Sequence, residues 1–375
     1  MAKLEKRICP ACGELKNFRS DCKSCGCSGT NPRLNKTEET DRATLELRRL
    51  EAKHENKDAT IKNLAEKVLL LEKEKNALIR LSDPTPQSID IRSMTPKGQS
   101  ESAAVAVWSD HHIEEEVKPG QVSNKNTFNL EIAKRRFDNL VSGTIAWFNI
   151  ESRKTTIKTF VLALLGDFIS GSIHEDLAES NLLPPVEAIY LAQGYLIGGI
   201  QALLRTLPKD VKILVVCHGG NHGRMTKDQR ISTEIGNSLE QYMYMTVRDY
   251  FANESRLTFQ IASGYHSFVR FFEGAYEIRF HHGHQINYGG GIGGITIPVN
   301  KAIGQWNKAH AVNLDVFGHF HTRFDGGNFI CNGSLIGYNA YAVSIKASYE
   351  KPSQTFFLVN REYGEKTMVS PIFVD

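Results

Sequence analysis

No run in the 375-residue sequence reaches the roughly 18 consecutive apolar residues needed to cross a bilayer, so no membrane role is expected. Residues 1–10 carry charge but no apolar core, which argues against a secretory signal and for a cytoplasmic protein with reduced thiols. Charge of one sign is missing too. The net formal charge is +3, so bulk charge does not announce a nucleic-acid binder, although a local basic patch is still compatible with it. After residue 27 cysteine almost disappears. Five of the seven lie between Cys9 and Cys27, and only Cys217 and Cys331 follow, each isolated in an apolar run. That distribution excludes a disulfide framework and points to metal binding at the N-terminus. No internal repeat is present. At about 100–200 residues per domain, the length accommodates one large catalytic domain and something smaller.

Three segments follow from composition. Residues 1–32 contain Cys9-Pro-Ala-Cys12 and Cys22-Lys-Ser-Cys25, two knuckles that together offer four thiolates to one structural Zn2+, with Cys27 able to replace Cys25. Such a closed site leaves no position for substrate and suits docking to nucleic acid or protein. Residues 37–81 carry a heptad. Leu47, His54, Ile61, Val68 and Lys75 repeat every seven residues, and Leu50, Lys57, Leu64, Leu71 and Leu78 follow at an offset of three. This predicts a coiled coil and a homo-oligomer, or else one long helix lying on the catalytic domain. Residues 82–101 hold Asp83-Pro84-Thr85-Pro86, Pro96 and Gly98, which break a helix and predict a linker.

Residues 102–375 alternate short apolar runs with amphipathic stretches, an α/β pattern. Strands are expected at 103–108, 160–165, 211–217, 276–281 and 314–317, and helices at 129–148, 185–204 and 230–251. Each expected strand runs into a potential metal ligand: Asp110-His111-His112, Gly166-Asp167, Gly219-Gly220-Asn221-His222, His281-His282-Gly283-His284, and Gly318-His319-Phe320-His321. A lone histidine is more often packing than ligand. Five consecutive strand ends bearing Asp, His or Asn need a common partner, and a pair of cations supplies one. Two divalent ions about 3.5–4 Å apart lower the pKa of a bridging water and neutralise phosphoryl oxygens, which is the chemistry phosphate esters demand.

The order D-x-H, G-D, G-N-H, H, G-H-x-H over residues 103–375 resembles the calcineurin-like metallophosphoesterase superfamily. The resemblance implies a four-layer α/β/β/α sandwich. It implies one ion held by Asp110, His112, Asp167 and His321, and a second held by Asp167, Asn221, His282 and His319, with Asp167 as the bridge. His222 would stabilise the transition state or protonate the leaving oxygen. Mn2+ is the expected cofactor, with Fe or Zn2+ also suited to such donors.

Two positions depart from the family pattern. The second acid of G-D-x-x-D is Ser170 here, and the acid after G-N-H is Gly223, followed by Arg224. Those departures bring the chain closer to the nuclease and phage branches, as do Gly220-Asn221-His222-Gly223-Arg224 and Asn332-Gly333-Ser334-Leu335, which are similar to phage phosphoesterases described as DNA-repair exonucleases. Arg224 is either a bidentate clamp on a phosphate oxygen or an ordinary loop arginine. His281, His282 and His284 compete for one ligand position, and His282 fits the H-G-H pattern. His111 is expected to point away from the metals and His218 to stand behind them. Residues 288–294 read as a glycine-rich loop near the metals. Three roles follow: a nuclease acting on DNA or RNA, a phosphatase or phosphodiesterase acting on nucleotides or phosphoproteins, or a non-catalytic scaffold that keeps the fold. The basic clusters Lys134-Arg135-Arg136 and Arg153-Lys154 do not decide among them.

Overall fold

The computed structural model describes residues 6–8, 15–17, 39–82, 100–173, 175–288, 294–344 and 346–375. Cys9, Cys12, Cys22 and Cys25, Cys27, and residues 289–293 of the glycine-rich loop lie outside the described residues. The chain divides into two compact units, Met1–Ser93 and Met94–Asp375. In the first unit, β1 (Lys6–Ile8) pairs antiparallel with β2 (Leu15–Asn17), and α1 spans Glu39–Ser82, 44 residues. Among the described residues no helix is long and apolar enough to cross a membrane.

The second unit is mixed α/β with two sheets. In chain order its elements are β3 (Glu101–Trp108), α2 (Leu130–Glu151), β4 (Thr156–Leu164), α3 (Glu175–Ser180), α4 (Pro185–Thr206), β5 (Lys212–Cys217), α5 (Ile231–Glu234), α6 (Leu239–Tyr250), β6 (Leu257–Ile261), β7 (Ser267–Phe271), β8 (Tyr276–Phe280), α7 (Thr296–Trp306), β9 (Leu314–Phe317), β10 (Phe324–Asp325), β11 (Phe329–Cys331), α8 (Ala340–Ser344), β12 (Ser353–Asn360) and β13 (Glu365–Phe373). One sheet has the order β13-β12-β3-β4-β5-β6, the other β10-β11-β9-β8-β7. From β3 to β6 the strands are parallel, because a helix carries the chain back between each pair.

Burial explains the composition of these strands. Ala104, Ala106, Trp108, Phe160, Leu162, Leu164, Ile213 and Val215 pack with Phe137, Leu140, Leu196, Ile200 and Tyr244 of the helices. The alternate residues, Val105, Val107, Val161, Ala163 and Val216, pack with Ile278, Phe280, Leu314 and Val316 of the other sheet. A strand covered on both faces reads as a continuous apolar run rather than as alternation. A third cluster sets Val299 and Ile303 of α7 against Phe317 and Phe329.

Register is what places the site. Trp108 pairs with Leu164, Leu164 with Cys217, and Phe280 with Val316, so neighbouring strands end level and release their loops at the same edge. One expected helix is corrected. Residues 230–251 are interrupted by Gly236 at φ +96°, and the freed segment pairs with the loop after β5, Leu239 N–H donating to Gly223 O and Met225 N–H to Asn237 O.

Candidate metal centre

Two groups of side chains, each with two buried members and one partly buried, collect at those strand ends. Asp110, His112 and His321 form one and Asp167, His282 and His319 the other, with the ligand atoms of each group within 4.8 Å of one another. Asn221 joins the second, its Oδ1 3.1 Å from His282 Nε2. The structure thus brings together all seven residues expected at the metals.

Their hydrogen bonds determine which atoms face inward. His282 Nδ1 lies 2.6 Å from Leu165 O, and a carbonyl can only accept, so Nδ1 carries the hydrogen. In the neutral ring Nε2 is then a lone pair, aimed at Asp167 Oδ2 at 2.8 Å and at Asn221 Oδ1. Three acceptors meeting in a buried place require a positive charge between them. With only a proton to serve, burial lowers the pKa of His282, but the Asp167 carboxylate outweighs it and holds the ring near 10. Burial likewise opposes ionisation of Asp167, yet His282 and His222 keep that carboxyl well below its usual range. In the first group His112 Nε2 lies 3.1 Å from His321 Nε2, and His321 Nε2 lies 3.6 Å from Asp110 Oδ1. Burial lowers the pKa of His112, His319 and His321, the last to about 4, so these imidazoles are neutral donors.

Two close approaches demand glycine. A Cβ on Gly220 would stand 2.0 Å from Asp167 Oδ1, and one on Gly318 would stand 2.2 Å from Asp110 Oδ2. Neither residue has a positive φ, so the need is for space rather than for a sharp turn.

Residues outside the motifs hold the loops. Glu240, buried on α6, accepts the Phe168 N–H at 2.6 Å and the Gly220 N–H at 2.6 Å, with the Asp167 N–H at 3.3 Å. A Cβ on Gly223 would meet its Cγ at 2.8 Å, so Glu240 occupies the space beside the position where the family pattern has an acid. Ser170 stands at the other position where the sequence departs from the pattern it resembles. Its Oγ lies 2.9 Å from His112 Nδ1 and 3.2 Å from Glu115 Oε2, and its carbonyl lies 3.0 Å from His222 Nδ1. Glu114 accepts the N–H groups of Ser170 and Gly171, both at 2.8 Å. None of these acids was singled out from the sequence. The one available signal was Glu240 on the same helical stripe as the buried Met243, Tyr244 and Val247.

A cavity of about 540 Å3 opens over both groups, lined by His112, Asp167, Asn221, His222, His319 and His321 and walled by Glu115, Glu116, Gln121, Asn339 and Tyr341. Among the described residues lining it, none is Lys or Arg. Arg224 is absent from the lining. Its Nη1 donates to Asn221 O at 2.6 Å, which makes it a brace for the loop that carries Asn221. Arg136 is buried, bonded to Asp375 and to the carbonyls of Leu335 and Ile336, and so forms no part of a basic groove. His111 packs against Phe168 at a centroid distance of 4.4 Å, and His284 is tied to Glu234 at 3.1 Å.

No family model matches this chain, and no curated protein does. Among solved structures it is similar to the phosphopantetheinyl hydrolase of Mycobacterium tuberculosis, with 10% identity over 62% of this chain and 90% of that one, at a TM-score of 0.25. It is similar also to a phosphatase of Mycoplasma pneumoniae, with 12% identity over 72% of this chain and 92% of that one, at a TM-score of 0.25. Likenesses this loose carry no weight for fold or function, and the site stands on its own geometry.

Proposed function

We propose that residues 102–375 are a metal-dependent phosphoric ester hydrolase of the calcineurin-like kind, acting as a phosphodiesterase. The observation that carries this reading is the convergence of His282 Nε2, Asp167 Oδ2 and Asn221 Oδ1, acceptors that suit a cation, beside a second Asp-His-His group in the same cavity. Asp110, His112, Asp167 and His321 would hold one divalent ion. Asp167, Asn221, His282 and His319 would hold the other, with Asp167 bridging. Carboxylate, imidazole and amide donors suit Mn2+ foremost, and Fe or Zn2+ as well. Bound there, the ions supply Lewis acidity toward phosphoryl oxygens and a lowered pKa for a coordinated water. The chain's own part is orientation and proton transfer. His222 lines the cavity with its Nδ1 3.0 Å from Ser170 O, and in its imidazolium form it would serve as the proton donor to the leaving oxygen. The three apolar clusters, helix against sheet, sheet against sheet and sheet against helix, support a four-layer sandwich.

Nucleic acid is the substrate that the four-cysteine segment and the heptad favour, through a structural Zn2+ on Cys9, Cys12, Cys22 and Cys25. A second reading, a compact phosphate ester, is favoured by the lack of Lys or Arg among the described residues of the lining, since a polyanion profits from such groups. The test is Mn2+-dependent hydrolysis of bis-p-nitrophenyl phosphate, p-nitrophenyl phosphate and end-labelled DNA, with Asp167→Asn and His222→Ala as controls. Diester and DNA cleavage lost in both variants supports the nuclease. Diester cleavage without DNA cleavage moves the substrate to a small molecule. Monoester cleavage alone overturns the phosphodiesterase. Silence on every substrate by protein holding two metals favours the scaffold.

A further inference from the structure

The long helix of the first unit carries large apolar side chains in contact with water. Leu47, Leu50, Ile61, Leu64, Val68 and Leu71 of α1 are between 52% and 62% exposed. They fall at the a and d positions of the heptad, so they form one seam along a helix about 66 Å long at 1.5 Å per residue over its 44 residues. A helix of that length takes its stability from packing of such a face rather than from propensity alone.

We propose that α1 pairs with α1 of a second copy of this chain as a parallel, in-register, two-stranded coiled coil. Two sequence features choose the geometry. Ile61 and Val68, β-branched, stand at a, while Leu50, Leu64 and Leu71 stand at d, a distribution that favours two strands. The charges at e and g choose the direction. In a parallel pair each g residue faces the e residue five positions later on the other helix. That sets Lys53 against Asp58 and Lys67 against Glu72, attractive on both sides of the seam, and only Glu46 against Glu51 repels. In an antiparallel pair the e row faces itself, and this row contains Glu51, Asp58, Ala65 and Glu72, with acids and no base. His54, Lys57 and Lys75 interrupt the seam, and in a two-stranded coil their long side chains reach water past its flank, whereas more strands would enclose them. Leu69 and Leu70 lie at b and c, outside the seam.

The test is sedimentation equilibrium of the full chain, with charge reversals on the flank. The expected mass is twice the 42.0 kDa of one chain. Lys53→Glu and Asp58→Lys should each raise the dimer dissociation constant on the order of tenfold, and the double variant should return most of that loss. Leu64→Asp should give a monomer. Mn2+ uptake by each variant reports that residues 94–375 remain folded. A monomer at every concentration, a mass above the dimer, or an Asp58→Lys variant that associates as well as the original would overturn the parallel dimer.

Discussion

Glu240 and Gly220 are joined by a 2.6 Å hydrogen bond from the Gly220 N–H to the Glu240 carboxylate, whose other oxygen takes the Phe168 N–H. One helix residue therefore clamps the loop of Asp167 to the loop of Asn221. Glu240→Ala should leave these donors unpaired in a buried place, at about 1–3 kcal/mol each. We expect a clear fall in melting temperature and a 10- to 100-fold weaker Mn2+ affinity, on the order seen when residues supporting a metal ligand are removed. An unchanged Mn2+ titration by calorimetry would remove Glu240 from the account.

His222 and Asp167 should separate by experiment. His222→Ala keeps all seven donors, so metal content should hold while kcat drops on the order of 100-fold or more. Asp167→Asn removes the carboxylate proposed to bridge the two ions and should lose metal and activity together. Elemental analysis beside the rate assay distinguishes the two, and loss of metal from His222→Ala would contradict the role given to it.

Gly220→Ala places a methyl 2.0 Å from Asp167 Oδ1 and 2.4 Å from its amide nitrogen, so the loop must shift. Lower thermal stability and weaker metal binding are expected. Gly194→Ala in α4 is the control, since nothing lies within 4 Å of a Cβ there, and it should stabilise by roughly 0.5–1 kcal/mol. Equal behaviour of the two variants in a thermal melt would refute the crowding argument.

Burial pushes the Glu114 carboxyl up to about 8, against the Gly171 and Ser170 N–H groups that favour its ionised form. Its Oε2 has no hydrogen-bond partner. The folded chain therefore keeps a proton that the unfolded chain releases near the ordinary value of 4.5. The stability linked to that proton is complete below about pH 4.5 and fades as pH rises toward 8. Glu114→Gln, which mimics the neutral acid, should gain on the original protein as pH rises from 5 to about 9. Burial also lifts Glu240 and Asp110, each to about 7, but both are present in the original and the variant alike, so the difference between the two proteins reports Glu114. A stability difference that stays flat with pH would show that Glu114 is ionised throughout.

The strands that end in ligands were readable from sequence because they are covered on both faces, and continuous apolar runs mark them. Of the strands that escaped notice, β12 is buried just as fully but runs into no candidate ligand, and β13 is of another kind. β13 contains Lys366, Thr367, Ser370 and Pro371 and lies at a sheet edge, where half-exposed residues and proline are tolerated. The helix expected over residues 230–251 has apolar periodicity throughout, and only the left-handed backbone at Gly236 divides it. The seven positions proposed as ligands follow from local motifs. Glu240 does not, because it is 73 residues from Asp167 and its importance exists only once the two loops are brought together. Arg224 lay next to the right motif, yet only its contact with Asn221 O reveals which way it reaches.

Of the eleven non-glycine residues with positive φ among the described residues, five are Asp110, His112, Asp167, His319 and His321. Aspartate and histidine are among the side chains that enter that conformation most readily. The turns after β3, β4 and β9 and the coordination of a divalent transition metal would thus select the same residue types. A substitution that keeps a donor atom but changes the backbone's tolerance, such as His319→Cys, alters the geometry of approach before it alters the chemistry. The reverse also holds: the main chain takes on this strain when the protein folds, so capture of an ion by the proposed site would ask little rearrangement of these five backbone positions.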